Sequence, residues 1–385
     1  MFEAPIVDFF STKNTPFFFY DFDILRNILK EVKSIKNQYG YKVHFALKAN
    51  SNPEILKIIS EAGFGADCVS GNEVLRAIET GFDPENIVFA GVGKTDDEIN
   101  ISLNNNISCL NVESLQELEV INNLAAKKKK LAKIALRINP GIDARTHKYT
   151  TTGTEENKFG IYKWDLKKTV DLLKNLNNLV LKGLHFHIGS QITDMNVFIR
   201  LCDEIIKIIE WFSNCNIKIE NINVGGGLAV NYHDNSDELP DFKNYFEIFN
   251  KNLNIEEYQK LHFELGRSIV ANCGSLISKV LYIKKGKMTN FAILDAGITE
   301  LIRPALYQAL HQIENISSNS KQTEKYDVVG PICESSDFFA KGISLPETKR
   351  GDIIVIKAAG AYGQVMSSDY NLRTKAKAIY SDEIN

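Results

Sequence analysis

The 385-residue sequence predicts an α/β fold, a parallel (β/α)8 barrel of the TIM type followed by a mainly β C-terminal domain. Three observations carry this. Between residues 42 and 267, short apolar runs alternate about eight times with stretches of helical periodicity. Within several of those runs polar and apolar residues alternate in phase, as strands with one helix-packed face require. After about residue 270, strand-like runs are joined by turn-rich pieces.

The expected barrel strands are VHFALKA (43–49), GADCVS (65–70), IVFAG (87–91), SCLNV (108–112), LAKIALRIN (131–139), VLKGLHFHIG (180–189), IENINVG (219–225) and KLHFELG (260–266). Helical stretches such as PEILKIISEAG and NEVLRAIETG lie between them, the second with Asn72 as expected cap and Gly81 as stop. In the first strand His44, Ala46 and Lys48 share a face. In the sixth His185 and His187 do so, and in the eighth His262 and Glu264. Polar groups near the C-terminal ends of inward strand faces are what a barrel with its site at that mouth predicts. The domains expected are residues 26–270 for the barrel and 271–385 for the β domain, with 1–25, which holds FFFYDF, joining the latter. The polar stretch 314–325 is expected to be a surface loop.

With 45 basic and 48 acidic residues the net charge is −3, which gives no electrostatic reason to expect nucleic acid or an anionic membrane as partner. The basic run Lys127 to Lys130 reads as a solvated turn. Six cysteines at 68, 109, 202, 215, 273 and 333 show no paired spacing of the zinc or redox type. The opening residues lack a basic leader with a long apolar segment, and no apolar stretch reaches the roughly 20 residues of a membrane span, so a cytoplasmic setting is expected.

Four places carry candidate chemistry. Lys48 lies on the inward face beside small Ala46; it is either a strand-end lysine reaching solvent or a Schiff-base lysine. NVGGGL places three glycines after the seventh strand, where backbone N–H groups approach an anion without side-chain obstruction and where barrels often bind phosphate. In FELGRS, Glu264 and Arg267 are either a local ion pair or a carboxylate poised on a cofactor's pyridine nitrogen. In HFHIGS, His187 is a candidate to stack on a cofactor ring, with Ser190 near a phosphate. The rival is a metal-dependent hydrolase using the HxH pair, which finds further inward ligands only in His44, His262 and scattered carboxylates and leaves Lys48 and the glycines without a role.

FALKANSNPEIL, GADCVSGNE, RINPGIDARTHKYTTTGTEENKFGI, GLHFHIGSQ, NVGGGL, FELGRSIV, LIRPALY, GPICESSD and AGAYG occur in one order from about residue 16 to 374. In these the chain resembles the diaminopimelate decarboxylase branch of the fold-type III pyridoxal-phosphate decarboxylases, an alanine-racemase-like group that also holds ornithine and arginine decarboxylases. The resemblance implies decarboxylation of meso-2,6-diaminopimelate to L-lysine and CO2, with pyridoxal 5'-phosphate as cofactor and no metal. It implies that Lys48 carries the cofactor, that His187 stacks on its ring, and that Asp67 lies close behind Lys48. Ser190, Gly225, Gly226, Gly227, Gly266, Arg267 and Tyr362 would hold the phosphate, and Glu264 would pair with the pyridine nitrogen. Arg267, Arg303, Tyr307, Glu334 and Tyr362 would contact substrate. Cys333 would return a proton to the carbon that lost CO2, and Cys333 and Glu334 would come from the neighbouring subunit of a homodimer. Two arginines suit a distal carboxylate, with which guanidinium makes directional, charge-assisted bonds; a diamine precursor has none to offer. The chain departs from the family pattern at Leu265, where a proline is usual, at Asn223, where an aspartate is common, and at Lys357 and Ala358, where an acidic residue is frequent.

Overall fold

The computed structural model describes residues 4–144, 157–232 and 240–384. Part of one family motif, RTHKYTTTGTEE at 145–156, lies outside them. The strands, in chain order, are β1 (Phe17–Tyr20), β2 (Lys42–Ala46), β3 (Gly65–Cys68), β4 (Ile87–Phe89), β5 (Cys109–Val112), β6 (Ala132–Arg137), β7 (Leu179–His185), β8 (Asn221–Asn223) and β9 (Lys260–Leu265). They continue with β10 (Gly274–Lys285), β11 (Asn290–Leu294), β12 (Ile313–Asn315), β13 (Thr323–Val329), β14 (Phe338–Pro346), β15 (Ile353–Ile356) and β16 (Lys377–Tyr380). The described residues fall into two units.

The first unit takes in Leu29–Ala229 and the described residues up to Gly266, and holds strands β2 to β9, all parallel, closed into a barrel by the pairing of β2 with β9. Its register sets the levels of the polar side chains. His44 stands opposite Glu264, Ala46 opposite Asp67, His185 opposite Asn223, and Asn223 opposite His262. The helices between strands start where a side-chain oxygen can take an orphan N–H of the first turn. Asn52 caps Pro53–Glu61, Thr95 and Glu98 form a capping box on Asp96–Asn105, and Ser114 caps Leu115–Lys127. Ser70, not Asn72, caps Gly71–Glu79, because its hydroxyl reaches the N–H of Glu73. On Asn196–Asn214, Val197, Phe198, Leu201, Ile205, Ile208 and Phe212 are buried, the spacing of a single apolar stripe.

Most expected barrel strands end early, and in two of them this matters for the site. Strand β2 stops at Ala46, and Lys48 sits in a one-turn 3-10 helix, Leu47–Ala49. There the chain is already turning: Asn50 Oδ1 accepts the Asn52 N–H, and Pro53 opens the next helix. Strand β7 stops at His185, so His187 and Ser190 lie on the loop beyond it, where Gly189 (φ 144°) and Gln191 (φ 64°) turn the backbone out of line.

The second unit comprises the described residues up to Ile28, residues 230–232, and Arg267 onward. Its sheet runs β12-β15-β10-β11-β13-β14, with β1 antiparallel to β10 and parallel to β16. Long β10 is the spine; a register shift between Val280 and Tyr282 lets it pair with β15 along one stretch and β11 along another. Phe10, Phe17, Phe19, Ile277, Ile353 and Val355 form its buried core. Phe10 lies edge-on to Phe17 and Phe19, with centroids 5.5 and 4.9 Å apart, a favourable aromatic arrangement. Strands β12 and β13 occupy the ends of the expected 314–325 loop, leaving 316–322 between them.

Candidate active site

In the barrel unit, the ends of β2, β3, β7, β8 and β9 assemble one polar cluster. Lys48 Nζ is 3.1 Å from Asp67 Oδ2. Asp67 is fully buried, and its other oxygen, Oδ1, has no hydrogen-bond partner among the described residues. Burial, then the charge of Glu264, push the Asp67 carboxyl up to about 7, with Lys48 pulling the other way. Glu264 goes in the opposite direction. Burial alone would raise it, but the His185 ring at 3.0 Å, followed by Lys48 and His187, holds it below the usual carboxylate range. Asn223 Nδ2 donates to Glu264 Oε1 at 2.7 Å, while Asn223 Oδ1 accepts the Gly225 N–H at 2.9 Å. The amide therefore has one orientation. An aspartate there would face Glu264 with a second carboxylate, so asparagine keeps Glu264 ionised at this spot.

The three glycines are dictated by close approach. A Cβ on Gly226 would stand 1.9 Å from the carbonyl oxygen of Glu264, and one on Gly225 would stand 2.5 Å from that of Phe186. The loop is thus pressed against β9 and the His187 backbone, and Gly226 N–H points at His187 Nδ1 at 3.4 Å. His187 is half-buried, and its pKa falls well below the ordinary value through burial, Lys48 and Arg137, so its ring is neutral and suited to stacking. Ser190 is half-buried and directly follows Gly189. Gly266 packs against Ala46 and Ala49, where a Cβ would meet theirs at 3.0–3.1 Å. Small residues thus flank the Lys48 amine.

Deeper in the barrel His44 and His262 stack with centroids 5.2 Å apart and share a 3.0 Å hydrogen bond. Burial pushes His44 down to about 4. A buried ion network joins the segments after β4 and β5 and the end of β6: Lys94 pairs with Glu117 at 2.7 Å, and Arg137 with Glu113 at 2.8 Å. Glu113 also accepts the N–H groups of Gly91 and Gly160, tying three loops that follow barrel strands. The HxH pair separates, His185 binding Glu264 and His187 facing the glycine loop.

The β unit carries a second cluster, built on Tyr232. Arg267 Nη1 donates to the Tyr232 hydroxyl at 2.8 Å, and its guanidinium lies over the Tyr362 ring at 4.8 Å. Arg303, buried, lies over the Tyr232 ring at 4.6 Å and its Nη1 is 2.8 Å from His311 Nε2. Tyr362 takes φ 57°, a left-handed conformation that costs a non-glycine residue on the order of 1 kcal/mol or more and that here aims the ring beneath Arg267. Tyr307 is half-buried at the end of the helix that Arg303 opens.

Cys333 and Glu334 are exposed on the loop after β13, Glu334 accepting a 3.0 Å hydrogen bond from Tyr370. Asp337 holds that loop. Its Oδ2 accepts the Ile332 N–H at 2.6 Å and its Oδ1 the Ile298 N–H at 2.8 Å. The carboxylate sits between Gly297 and Gly330, where a Cβ would come within 2.9 and 2.4 Å of it. Tyr232, His311 and Asp337 were not singled out in the sequence. Their own motifs, GGLAVNY and PICESSD, or the nearby LIRPALY, were the signals that pointed toward them.

A lysine amine beside a buried carboxylate, a neutral imidazole over a side-chain-free anion cradle, and an ionised glutamate fit pyridoxal phosphate: an aldehyde, a phosphate and a pyridine nitrogen each find a complementary group. The comparisons agree. Residues 25–271 match the family of the pyridoxal-dependent decarboxylases, pyridoxal binding domain, and the chain belongs to that family. Its relatives within the family are specific. It is 53% identical over 380 residues to the diaminopimelate decarboxylase of Bacteroides thetaiotaomicron, covering 98% of both chains. The crystal structure of diaminopimelate decarboxylase from Helicobacter pylori, complexed with L-lysine, superposes with a TM-score of 0.92 at 40% identity, covering 98% of this chain and 94% of that one. A lysine/ornithine decarboxylase from Vibrio vulnificus, complexed with putrescine, shares the fold (TM-score 0.86) at 21% identity over the whole of both chains.

Proposed function

We propose that this chain decarboxylates meso-2,6-diaminopimelate to L-lysine and CO2, the last step of lysine biosynthesis, using pyridoxal phosphate. The observation that carries the substrate is the buried Arg303. Its side-chain acceptor is a neutral imidazole rather than a carboxylate, and its Nε has no partner among the described residues. An incoming carboxylate repairs that; a diamine precursor leaves the donor stranded, at a cost of about 1–3 kcal/mol or more for a charged group.

The roles then divide as follows. Lys48 is the amine that holds the cofactor between turnovers, with Asp67 behind it to orient and accept from that amine. His187 covers the ring. Ser190, the Gly225–Gly227 backbone, Gly266, the Arg267 backbone and Tyr362 bind phosphate. Glu264, kept ionised by His185 and Asn223, holds a proton on the pyridine nitrogen. Bound pyridoxal phosphate supplies an electron sink for the pair left when the Cα–carboxylate bond breaks. Arg267, Arg303, Tyr307, Tyr362 and Glu334 bind the distal amino-carboxylate. Cys333 delivers a proton to Cα, a general-acid task within reach of a thiol.

Cys333 and Glu334 act from the neighbouring subunit of a homodimer; their exposure in the single chain, with Leu372 95% exposed close to Tyr370, supports this. Six unpaired thiols favour a reducing, cytoplasmic setting. No described helix is long and apolar enough to cross a membrane.

The direct test is CO2 and L-lysine release from meso-diaminopimelate beside the L,L isomer, ornithine, arginine and lysine. Turnover of the meso isomer alone supports the reading; turnover of ornithine or arginine instead overturns the substrate. The shared site is tested by mixing Lys48→Ala and Cys333→Ala chains, each inactive alone. Random re-pairing restores about a quarter of the activity if each site draws on two subunits, and none if it draws on one.

A further inference from the structure

The Arg303 guanidinium is held from two sides by groups that carry no charge. Its face lies on the Tyr232 ring at 4.6 Å, and its Nη1 is 2.8 Å from His311 Nε2. The tautomer of His311 follows from its other side. Nδ1 is 2.8 Å from the Lys357 carbonyl oxygen, which can only accept, so Nδ1 carries the proton and Nε2 offers a lone pair to Arg303. The Tyr232 ring meets His311 edge-on, with centroids 5.2 Å apart, completing the frame. His311 is buried, and burial followed by the charges of Arg303 and Arg267 pushes it down to about 3, in keeping with a neutral ring.

An arginine in this position is normally fixed by a carboxylate, which takes two N–H groups at once and cancels the charge. Imidazole takes one N–H and cancels nothing. The Arg303 Nε stays buried without a partner among the described residues, and the guanidinium keeps its full charge in a low-dielectric setting. We infer that His311 is a specificity-positioning residue: as a neutral acceptor it orients Arg303 while reserving the guanidinium's charge and remaining donors for the distal carboxylate of the substrate. The inference rests on the proposed substrate and adds the device by which the pocket demands a carboxylate.

The test measures equilibrium binding to the holoenzyme of L-lysine, which retains the distal amino-carboxylate, and of pentane-1,5-diamine, which lacks the carboxylate. The variants are His311→Phe, His311→Gln and His311→Glu, each with its thermal melt and cofactor absorbance recorded. His311→Phe is expected to weaken L-lysine about 10-fold or more, the loss of one charged hydrogen bond and of orientation, with the diamine unchanged. His311→Gln, whose amide oxygen can still accept, recovers part of the loss. His311→Glu folds normally and binds L-lysine worst, because its carboxylate occupies and neutralises Arg303. Unchanged L-lysine affinity in His311→Phe, a parallel loss of the diamine, or L-lysine binding in His311→Glu as tight as in the parent overturns the inference. A parent holoenzyme that turns over meso-diaminopimelate while these outcomes fail isolates the fault to His311; one that does not turn it over brings down the substrate reading first.

Discussion

The two polar clusters are built on opposite plans. The barrel cluster is set by strand register and buried carboxylates: Asp67 on β3 and Glu264 on β9 are fully or almost fully buried, Asp67 anchored by Lys48 one turn beyond β2 and Glu264 by His185 two strands away on β7. The β-unit cluster is set by cations on aromatic faces: Arg267 over Tyr362, Arg303 over Tyr232, all on loops or short helices. The difference matches the work of each. In the proposed reading, cofactor chemistry tolerates little displacement and falls to groups on the ends of parallel strands and the first turns beyond them. Substrate selection in that reading falls to Arg267 and Arg303, which sit on short helices outside the barrel strands. Opposite charge problems are also solved in opposite ways. In the barrel a pair of carboxylates diverges, Asp67 pushed up to about 7 and Glu264 held down, whereas in the β unit two guanidiniums are bonded to the neutral side chains Tyr232 and His311.

The sharpest break in this comparison is Lys48→Ala. It removes the amine on which the barrel cluster turns and is expected to lower kcat by about 10⁴-fold or more. The visible absorbance of the bound cofactor changes at the same time. Leaving the β unit's fold untouched, the variant should retain the wild-type thermal melt of the protein without cofactor to within a few degrees.

A smaller effect, in the β unit, comes from Asp337→Asn. The amide would present an NH2 to one of the two backbone N–H groups that the carboxylate now accepts, leaving a buried donor unpaired at about 1–3 kcal/mol. Melting temperature should fall by several degrees, and kcat/KM by about tenfold, because the loop that drifts carries both the proposed proton donor Cys333 and the proposed substrate contact Glu334. Equal loss in Asp337→Asn and in a variant of equal stability cost elsewhere in the sheet, such as one at Phe17, would reduce Asp337 to a general stabiliser.

The smallest effect is a pH dependence. With a carboxyl pKa of about 7 in the folded protein against 3.8 ordinarily, Asp67 binds a proton in the native state that the unfolded chain has released. Its contribution favours folding fully below the ordinary value and is lost as pH climbs toward 7. Asp67→Asn is neutral throughout, so without cofactor its melting temperature minus that of the parent should rise between pH 4 and 7 and then level. A flat difference would mean that Lys48 compensates the charge completely.

Local pattern carried much of this protein. Alternating and helical periodicities specify the barrel, because a buried strand or helix face must be apolar at fixed spacing whatever it packs against. The triple glycine was legible for the same reason: only a residue without a Cβ can lie 1.9 Å short of a carbonyl oxygen, and runs of glycine are visible in one dimension. Lys48 was legible as a residue and not as a conformation. Its strand ended three residues sooner than the pattern indicated, since the Asn50–Pro53 turn had to begin. Ser70 displaced Asn72 as a cap by a two-residue shift that periodicity does not resolve.

Other features depend on meetings across the chain. Tyr232 and His311 are 79 residues apart, and nothing in either neighbourhood says that a tyrosine face and an imidazole lone pair will share one guanidinium. Asp337 fills a gap between Gly297 and Gly330 that exists only once β11 and β13 are paired. The ionisation of Asp67 and Glu264 is also a tertiary property: two carboxyl groups of similar ordinary pKa part company because one is buried beside a lysine and a like charge, and the other beside a histidine and an amide. Spacing along a chain encodes which face a residue shows; what stands opposite that face, and therefore its charge and its task, is settled only when distant segments fold together.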